Sequence, residues 1–176
     1  MTDALNDTFL YFAYGSNMFT RRLKERTPSA VAIGTGFVRG HRLTFDKVSG
    51  SGEARSGKCH IERTDNPTDL VHGVLFRIKT AEEGDLDKAE GIGEGYKKDR
   101  TIQVVTPYCT VQAVGYLATN KDSTLRPYDW YKAFVVAGAV EHRLPNGYVE
   151  WLRTVASQPD PKADRRAKNE ALLFDS

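Results

Sequence analysis

The amino-acid sequence predicts an α+β fold, in which a mixed sheet or partly closed β-barrel is flanked by helices. The first observation is the order of the patterns along the chain: strand, helix, several strands, helix, two strands and then helices. The second is the composition, because 40% hydrophobic and 27% charged residues are ordinary values for a globular protein. The third is continuity, since no internal repeat or linker divides the 176 residues and one domain is the simplest interpretation.

Hydrophobic periodicity and turn residues define the predicted elements. Alternation of apolar and other residues favours a strand, and an apolar stripe at helical spacing favours a helix. Strands are predicted at about residues 9–14, 31–46 (bent or bulged, because glycines interrupt it), 59–63, 74–78, 96–106 and 109–118. Helices are predicted at 19–26, from a capping box at 80–83 towards 90, at 128–142, and after the break at 145–147.

The remaining segments are predicted from composition. A single domain is expected to occupy residues 9–158, preceded by a disordered leader at 1–8 and followed by a loosely held, charged tail at 159–176. Residues 47–58 are predicted to be a loop, and we favour a plain surface loop over a mobile lid because nothing in them is chemically distinctive.

Charge and hydropathy exclude several classes of partner. The 25 basic and 23 acidic side chains give a net charge of +2, which offers no reason to expect a nucleic acid or a membrane surface as partner. No segment approaches the roughly 20 apolar residues that span a bilayer. The polar, acidic start of the chain does not resemble a secretory signal, so a cytoplasmic location is predicted.

The sequence predicts neither a metal nor a cofactor. The four histidines are scattered without metal-ligand spacing. The two cysteines, Cys59 and Cys109, lie in strand-like stretches, where a buried free thiol is the expected state.

A hydrophobic run that ends at Gly15, Ser16 and Asn17, with a helical pattern directly after it, is the most informative local feature. Glycine allows close approach of a ligand, and free N–H groups at a helix start attract negative charge, including that of a transition-state oxyanion. The alternative is an ordinary tight turn in which Ser16 or Asn17 caps the helix. The turn lacks the Lys of a Walker loop and matches neither a dinucleotide turn nor a nucleophile elbow.

The segment Tyr11-Phe12-Ala13-Tyr14-Gly15-Ser16-Asn17-Met18 resembles the N-terminal signature of the γ-glutamylcyclotransferase family. Further matches follow in the family's order at residues 86–92, 95–96, 115–120, 131–139 and 144–145. The resemblance implies a small β-barrel surrounded by helices, a cofactor-independent cyclotransferase activity and, as in many family members, a possible homodimer. It also implies that Glu90 is catalytic and that the substrate is bound by Tyr11, Phe12, Ala13, Tyr14, Gly15, Ser16, Asn17 and Tyr131.

Glu90 is predicted at a helix end, immediately before Gly91. By position alone, a surface carboxylate in an acidic helix is the more common interpretation. Glu94 is a second candidate, because it also precedes a glycine and a tyrosine, and the spacing here departs slightly from the family pattern.

Several other side chains are possible members of a pocket. Tyr116, Tyr128 and Tyr131 can line a cavity and donate hydroxyl hydrogen bonds, although packing in the core is the commoner role of a tyrosine. Arg21, Arg22 and Arg55 can pair with a substrate carboxylate or lie solvated on the surface.

The reaction implied by the resemblance needs no nucleophile from the protein. The α-amine of a γ-glutamyl compound attacks its own γ-carbonyl, which releases 5-oxoproline and an amino acid or peptide. The alternatives are release of an amine or of a biosynthetic intermediate, and a non-enzymatic module that binds a metabolite. The cyclisation requires Glu90 and the Gly15–Ser16 turn to face one small cavity. The turn can hold the oxyanion or the substrate's α-carboxylate.

Overall fold

The computed structural model describes residues 7–174 of the chain. Seven strands are present in this part: β1 Thr8–Ala13, β2 Val31–Arg39, β3 His41–Ser49, β4 Ser56–Arg63, β5 Leu70–Lys79, β6 Tyr96–Val105 and β7 Thr110–Ala118. Its α-helices are α1 Thr20–Lys24, α2 Glu83–Glu90, α3 Asp129–Glu141, α4 Asn146–Thr154 and α5 Ala163–Phe174. Short 3-10 helices occur at Ser16–Met18, Gly52–Ala54 and Thr80–Glu82.

Five strands close into a mixed barrel in the order β1-β5-β2-β6-β7, which confirms the predicted fold class. Most neighbours are antiparallel, and β1 closes the barrel by pairing parallel to β7, with Tyr11 opposite Val114. The remaining strands, β3 and β4, form a separate two-stranded antiparallel sheet. A closed sheet leaves few unpaired strand edges, which removes a common route to aggregation.

Large apolar side chains fill the core, and glycines set how closely the elements approach. Phe12, Phe76 and Phe134 are fully buried, and burial of each stabilises the fold by about 1.5–3 kcal/mol. A Cβ at Gly138 of α3 would lie 2.5 Å from the backbone nitrogen of Phe19. This glycine therefore allows α3 to pack directly on the turn that follows β1.

Tertiary pairing changes two of the predicted elements. The single bent strand predicted at 31–46 is two strands, β2 and β3, separated at Gly40, whose φ of +67° favours glycine. Half of the loop predicted at 47–58 is strand, because the end of β3 pairs with the start of β4 and leaves a short connection. Polar residues form a strand here because a neighbouring strand supplies hydrogen bonds that the local pattern does not indicate.

Two local predictions are wrong. The capping box at 80–83 does not form, since Glu83 instead binds Lys98 and Arg100. Cys109 is exposed in the connection between β6 and β7, whereas Cys59 is buried as predicted.

The segment after residue 158 is more ordered than predicted. Its helix α5 contacts α3, and Leu172 and Leu173 pack against the core. Before α5, Asp160 is 1% exposed and accepts a hydrogen bond of 2.9 Å from the indole of Trp130. The predicted leader at 1–8 lies outside the described residues except for positions 7 and 8, and Thr8 begins β1.

Across residues 7–174, none of the helices has the length and apolar character that crossing a membrane would require.

Candidate active site

The site is built around the turn that follows β1. Two residues separate the end of β1 from the 3-10 helix Ser16–Met18, and α1 begins only at Thr20. A Cβ at Gly15 would lie 3.0 Å from Cβ of Cys59 and 3.2 Å from the hydroxyl of Tyr131. Glycine is therefore required for β4 and α3 to approach this turn.

The turn is not a conventional helix cap. Neither short helix has a side-chain capping bond, so the alternative in which Ser16 or Asn17 caps a helix is wrong. Within residues 7–174, no acceptor is found for the backbone N–H groups of Gly15, Ser16 or Asn17. These donors are available to a bound anion or carbonyl oxygen.

A small cavity of about 30 Å³ lies beside the turn. It brings together residues from β1, the turn, β4, α2, β6, β7 and α3. Its lining residues are Tyr11, Tyr14, Gly15, Ser16, Asn17, Cys59, Glu90, Tyr96, Tyr116 and Tyr131.

Glu90 reaches this cavity from the last position of α2. Gly91 adopts φ +68° and ψ +53°, the left-handed conformation with which many helices end. The chain therefore turns away at Gly91, and the carboxylate lies at the cavity with 15% of its side chain exposed.

The Glu90 carboxylate is held by a polar network. The side-chain amide of Asn17 donates hydrogen bonds to Oε1 of Glu90 and, over 3.1 Å, to the hydroxyl of Tyr11. Arg26 donates to Oδ1 of Asn17 over 2.6 Å, and its Nη1 lies 3.9 Å from Oε1 of Glu90. The network fixes the orientation of the carboxylate relative to the turn.

Neutral tyrosines form most of the remaining wall. Burial raises the pKa of Tyr11, Tyr14, Tyr96 and Tyr131 well above the usual value, so each carries its hydroxyl proton at neutral pH. The Tyr96 hydroxyl donates to the carbonyl oxygen of Cys59 over 2.6 Å, and the Tyr131 hydroxyl accepts from the Cys59 N–H over 3.0 Å. These two bonds anchor β4 to the cavity.

Some of the predicted site residues lie elsewhere. Phe12 and Ala13 are fully buried and do not line the cavity. Successive side chains of a strand alternate, and Phe12 packs against Gly73 on the opposite side from Tyr11. Tyr128 is buried but donates to the carbonyl oxygen of Ala54.

The candidate arginines and the second candidate acid also lie in different surroundings. Arg55 pairs with Asp122 over 2.7 Å, and Arg21 is exposed. Arg22 is buried at 8% exposure, where its Nε donates to Oγ of Ser16 over 3.2 Å. Glu94, the second candidate acid, is exposed and does not line the cavity.

Sequence reasoning missed several residues of the site. Arg26 carries no signal in the sequence beyond its place in a charged helix. Tyr96 belongs to the family-like motif at 95–96, but nothing in the sequence indicates that it lines the cavity. Lys47 and Lys58 fall in the loop predicted at 47–58, and the pairing of β3 with β4 instead makes them direct cross-strand partners.

A closed mixed barrel that holds a single carboxylate against a glycine turn defines a cyclotransferase-like protein, and comparisons with known proteins agree. Residues 70–152 match the AIG2-like family. The γ-glutamylcyclotransferase of Mus musculus is 34% identical over 150 residues, which cover 85% of this chain and 79% of that protein. The Homo sapiens γ-glutamylcyclotransferase is 32% identical over 152 residues with the same coverage. A solved structure of a γ-glutamyl cyclotransferase superposes with a TM-score of 0.82 and 29% identity, covering 96% of this chain and 99% of that one.

This chain belongs to the γ-glutamylcyclotransferase family, as the resemblance of its motifs indicates, and is an enzyme of that type. The alternative of a non-enzymatic binding module is therefore set aside.

Proposed function

We propose that this protein cyclises γ-glutamyl amino acids or peptides to 5-oxoproline, with Glu90 as the group that moves the proton. The observation that carries the proposal is the position of Glu90, whose carboxylate faces the Gly15–Asn17 turn and is held by Asn17. A single oriented acid beside free backbone donors suits a reaction in which the substrate supplies its own nucleophile.

Proton transfers during the proposed reaction return Glu90 to its starting state. Glu90 removes a proton from the substrate's α-ammonium, which is largely protonated near neutral pH. The free amine attacks the γ-carbonyl carbon and forms a tetrahedral oxyanion. Glu90 then gives this proton to the leaving nitrogen, the bond between the γ-carbon and that nitrogen breaks, and the carbonyl re-forms. The carboxylate next takes the remaining extra proton from the ring nitrogen and passes it to the departing amine, so that 5-oxoproline and an ammonium result. Such proton transfer contributes roughly 10²–10⁴ in rate.

The turn is the proposed source of oxyanion stabilisation. The backbone N–H groups of Gly15, Ser16 and Asn17 have no acceptor within residues 7–174, and they lie at the same cavity as Glu90. One preorganised donor of this kind is worth roughly 10²–10³ in rate. The hydroxyls of Tyr11 and Tyr131 would shape the space in which the glutamyl chain folds back on itself.

The test of this assignment is the substitution Glu90→Gln, with Glu94→Gln as the matched control. Gln keeps the size and hydrogen-bonding oxygen of the side chain but cannot take up the proton. We expect Glu90→Gln to lower release of 5-oxoproline from γ-glutamyl-alanine by at least 10²-fold with an unchanged Tm. Glu94→Gln should retain activity, since that carboxylate is exposed and outside the cavity. Wild-type activity in Glu90→Gln would refute the assignment.

A cytoplasmic location and a homodimer also belong to the proposal. The free thiols of Cys59 and Cys109 are compatible with a reducing compartment. Size-exclusion chromatography with light scattering tests the dimer, and a monomer at micromolar concentration would argue against it.

A further inference from the structure

Two lysines occupy opposed positions beside the cavity. Lys47 of β3 is the direct cross-strand partner of Lys58 of β4. Side chains directly opposite each other in an antiparallel pair lie on the same face, about 4.5–5.5 Å apart at Cβ, and like charges there are destabilising. A folded protein that keeps this arrangement retains an unfavourable interaction at this position.

Neither lysine makes a direct ion pair with an acidic side chain of residues 7–174, although the charges of Glu90 and Glu94 act on Lys47. Lys47 is only 6% exposed, and its Nζ lies 4.6 Å from the ring centroid of Tyr96. Within residues 7–174, no hydrogen bond or ion pair to either Nζ is found, whereas Lys98, for comparison, binds both Glu83 and Asp87. A buried ammonium such as that of Lys47, which contacts an aromatic face but has no acidic hydrogen-bond partner, would be stabilised by an anion at this position.

Their neighbours place both lysines at the rim of the cavity. Lys47 packs against Tyr96, a wall residue, and its Nζ would lie 3.2 Å from a Cβ at Gly95. Lys58, as the direct cross-strand partner of Lys47, shares the face of the sheet on which Lys47 lies. Burial, followed by the charge of Lys47, lowers the pKa of Lys58 to about 8, while Glu90 opposes the shift. The charges of Lys47 and Glu90 therefore both act on Lys58.

We propose that Lys47 and Lys58 form an anion subsite that binds a carboxylate on the leaving half of the substrate. The inference rests on the proposed function. The proposed reaction takes place between Glu90 and the turn, so the leaving half of the substrate extends away from them. Arg22 and Arg26, the other cations near Glu90, are already bonded to Ser16 and Asn17. The two lysines are therefore the cations free to select an acidic leaving group over a neutral amine.

The experiment compares two substrates that differ by one carboxylate. γ-Glutamyl-alanine and γ-glutamyl-ethylamine share the same leaving nitrogen and carbon skeleton. We expect the wild-type protein to prefer γ-glutamyl-alanine in kcat/KM by roughly tenfold or more, as for loss of a charge-assisted hydrogen bond. Lys47→Met and Lys58→Met should each remove most of this preference by raising KM for γ-glutamyl-alanine. The kcat/KM for γ-glutamyl-ethylamine should be unchanged in both variants. Lys97→Met, at an exposed position of β6, should change kcat/KM for neither substrate.

Stability provides a second measurement. Because each lysine opposes a like charge, Lys58→Met should raise the Tm while weakening turnover of γ-glutamyl-alanine, a combination that a purely structural lysine would not give. If a Met variant fails to fold, Lys47→Gln and Lys58→Gln are used in its place.

Three outcomes separate the two proposals. If the lysine variants lose kcat/KM equally on both substrates, or lose it on neither, the anion subsite is overturned and the cyclotransferase assignment is left intact. Absence of 5-oxoproline from both substrates with the wild-type protein would overturn the proposed function itself. A loss of kcat/KM that is confined to γ-glutamyl-alanine supports both proposals.

Discussion

The side-chain amide of Asn17 donates a hydrogen bond to the carboxylate of Glu90, although 73 positions separate the two residues in the sequence. Asn17 is 4% exposed and is itself held through its Oδ1 by Arg26. The turn after β1 and the end of α2 are thus joined through one buried amide, and this contact sets the geometry of the site.

Replacement of Asn17 should show whether this residue orients the Glu90 carboxylate or contributes to substrate binding. In Asn17→Ala the Glu90 carboxylate loses a charge-assisted donor, worth about 1.5–3 kcal/mol. We expect kcat for 5-oxoproline release to fall roughly tenfold or more, with a smaller change in KM. Asn66→Ala, in an exposed turn, is the control. A lower Tm with an unchanged kcat would show that Asn17 only supports the fold.

Gly15 should tolerate no side chain. A Cβ there would lie 3.0 Å from Cβ of Cys59 and 3.2 Å from the Tyr131 hydroxyl, so Gly15→Ala should destabilise the protein by about 1–3 kcal/mol. Gly34→Ala is the matched control, because nothing lies within 4 Å of a Cβ at that position. Urea unfolding measures both variants.

The partner of Gly15 can be identified with a double-mutant cycle. Tyr131→Phe removes the hydroxyl that a Gly15→Ala side chain would approach, so the two changes together should cost less than their sum. Strict additivity would mean that the clash lies with Cys59 alone.

The two cysteines should differ sharply in reactivity. Burial raises the pKa of Cys59 to about 12, and thiolate is the reactive form, so this thiol should resist alkylation at pH 8. Cys109 is exposed and should react. Mass spectrometry after iodoacetamide treatment should find one modified site in the native protein and two in urea. Rapid native labelling of Cys59 would contradict the closed cavity.

Asp160 should make the attachment of α5 sensitive to acid. Arg165 binds this buried carboxylate through two bonds of 2.6 Å and, as the largest cause, holds its pKa well below the usual value. Since the native carboxylate is charged, its contribution is complete above the unfolded pKa of about 3.9 and is lost as the pH falls below it.

Asp160→Asn should therefore lower stability at pH 7 by roughly 1–3 kcal/mol, and the difference from the wild-type protein should shrink below pH 4. Asp164→Asn, exposed in the first turn of α5, should have little effect at either pH. A pH-independent difference for Asp160→Asn would indicate that packing, and not charge, holds the segment. Thermal unfolding at pH 7 and pH 3.5 distinguishes these cases.

The sequence by itself determined most of the elements, and it predicted Glu90 and the Gly15–Asn17 turn, which line one cavity in the structure. Strong periodicity defined β1, β5, β6, β7, α3 and α4, because each of these segments buries one face or its whole surface. The ordered motifs from Tyr11 to Leu144 indicated the family, and with it the closed barrel and the candidate acid Glu90. These features are local in the chain, so a single sequence records them.

Tertiary structure alone decided what depends on contacts between distant segments. It left Phe12 and Ala13 out of the cavity wall and brought Tyr96 and Cys59 into it. The alternation of β1 directs Phe12 to the other side, and the packing of β4 brings Cys59 beside Gly15. It also placed Lys47 opposite Lys58, where composition had suggested a featureless loop. Packing across the whole domain sets the register of the strands and the places where helix ends meet. Neither can be predicted from the spacing of residues along the chain.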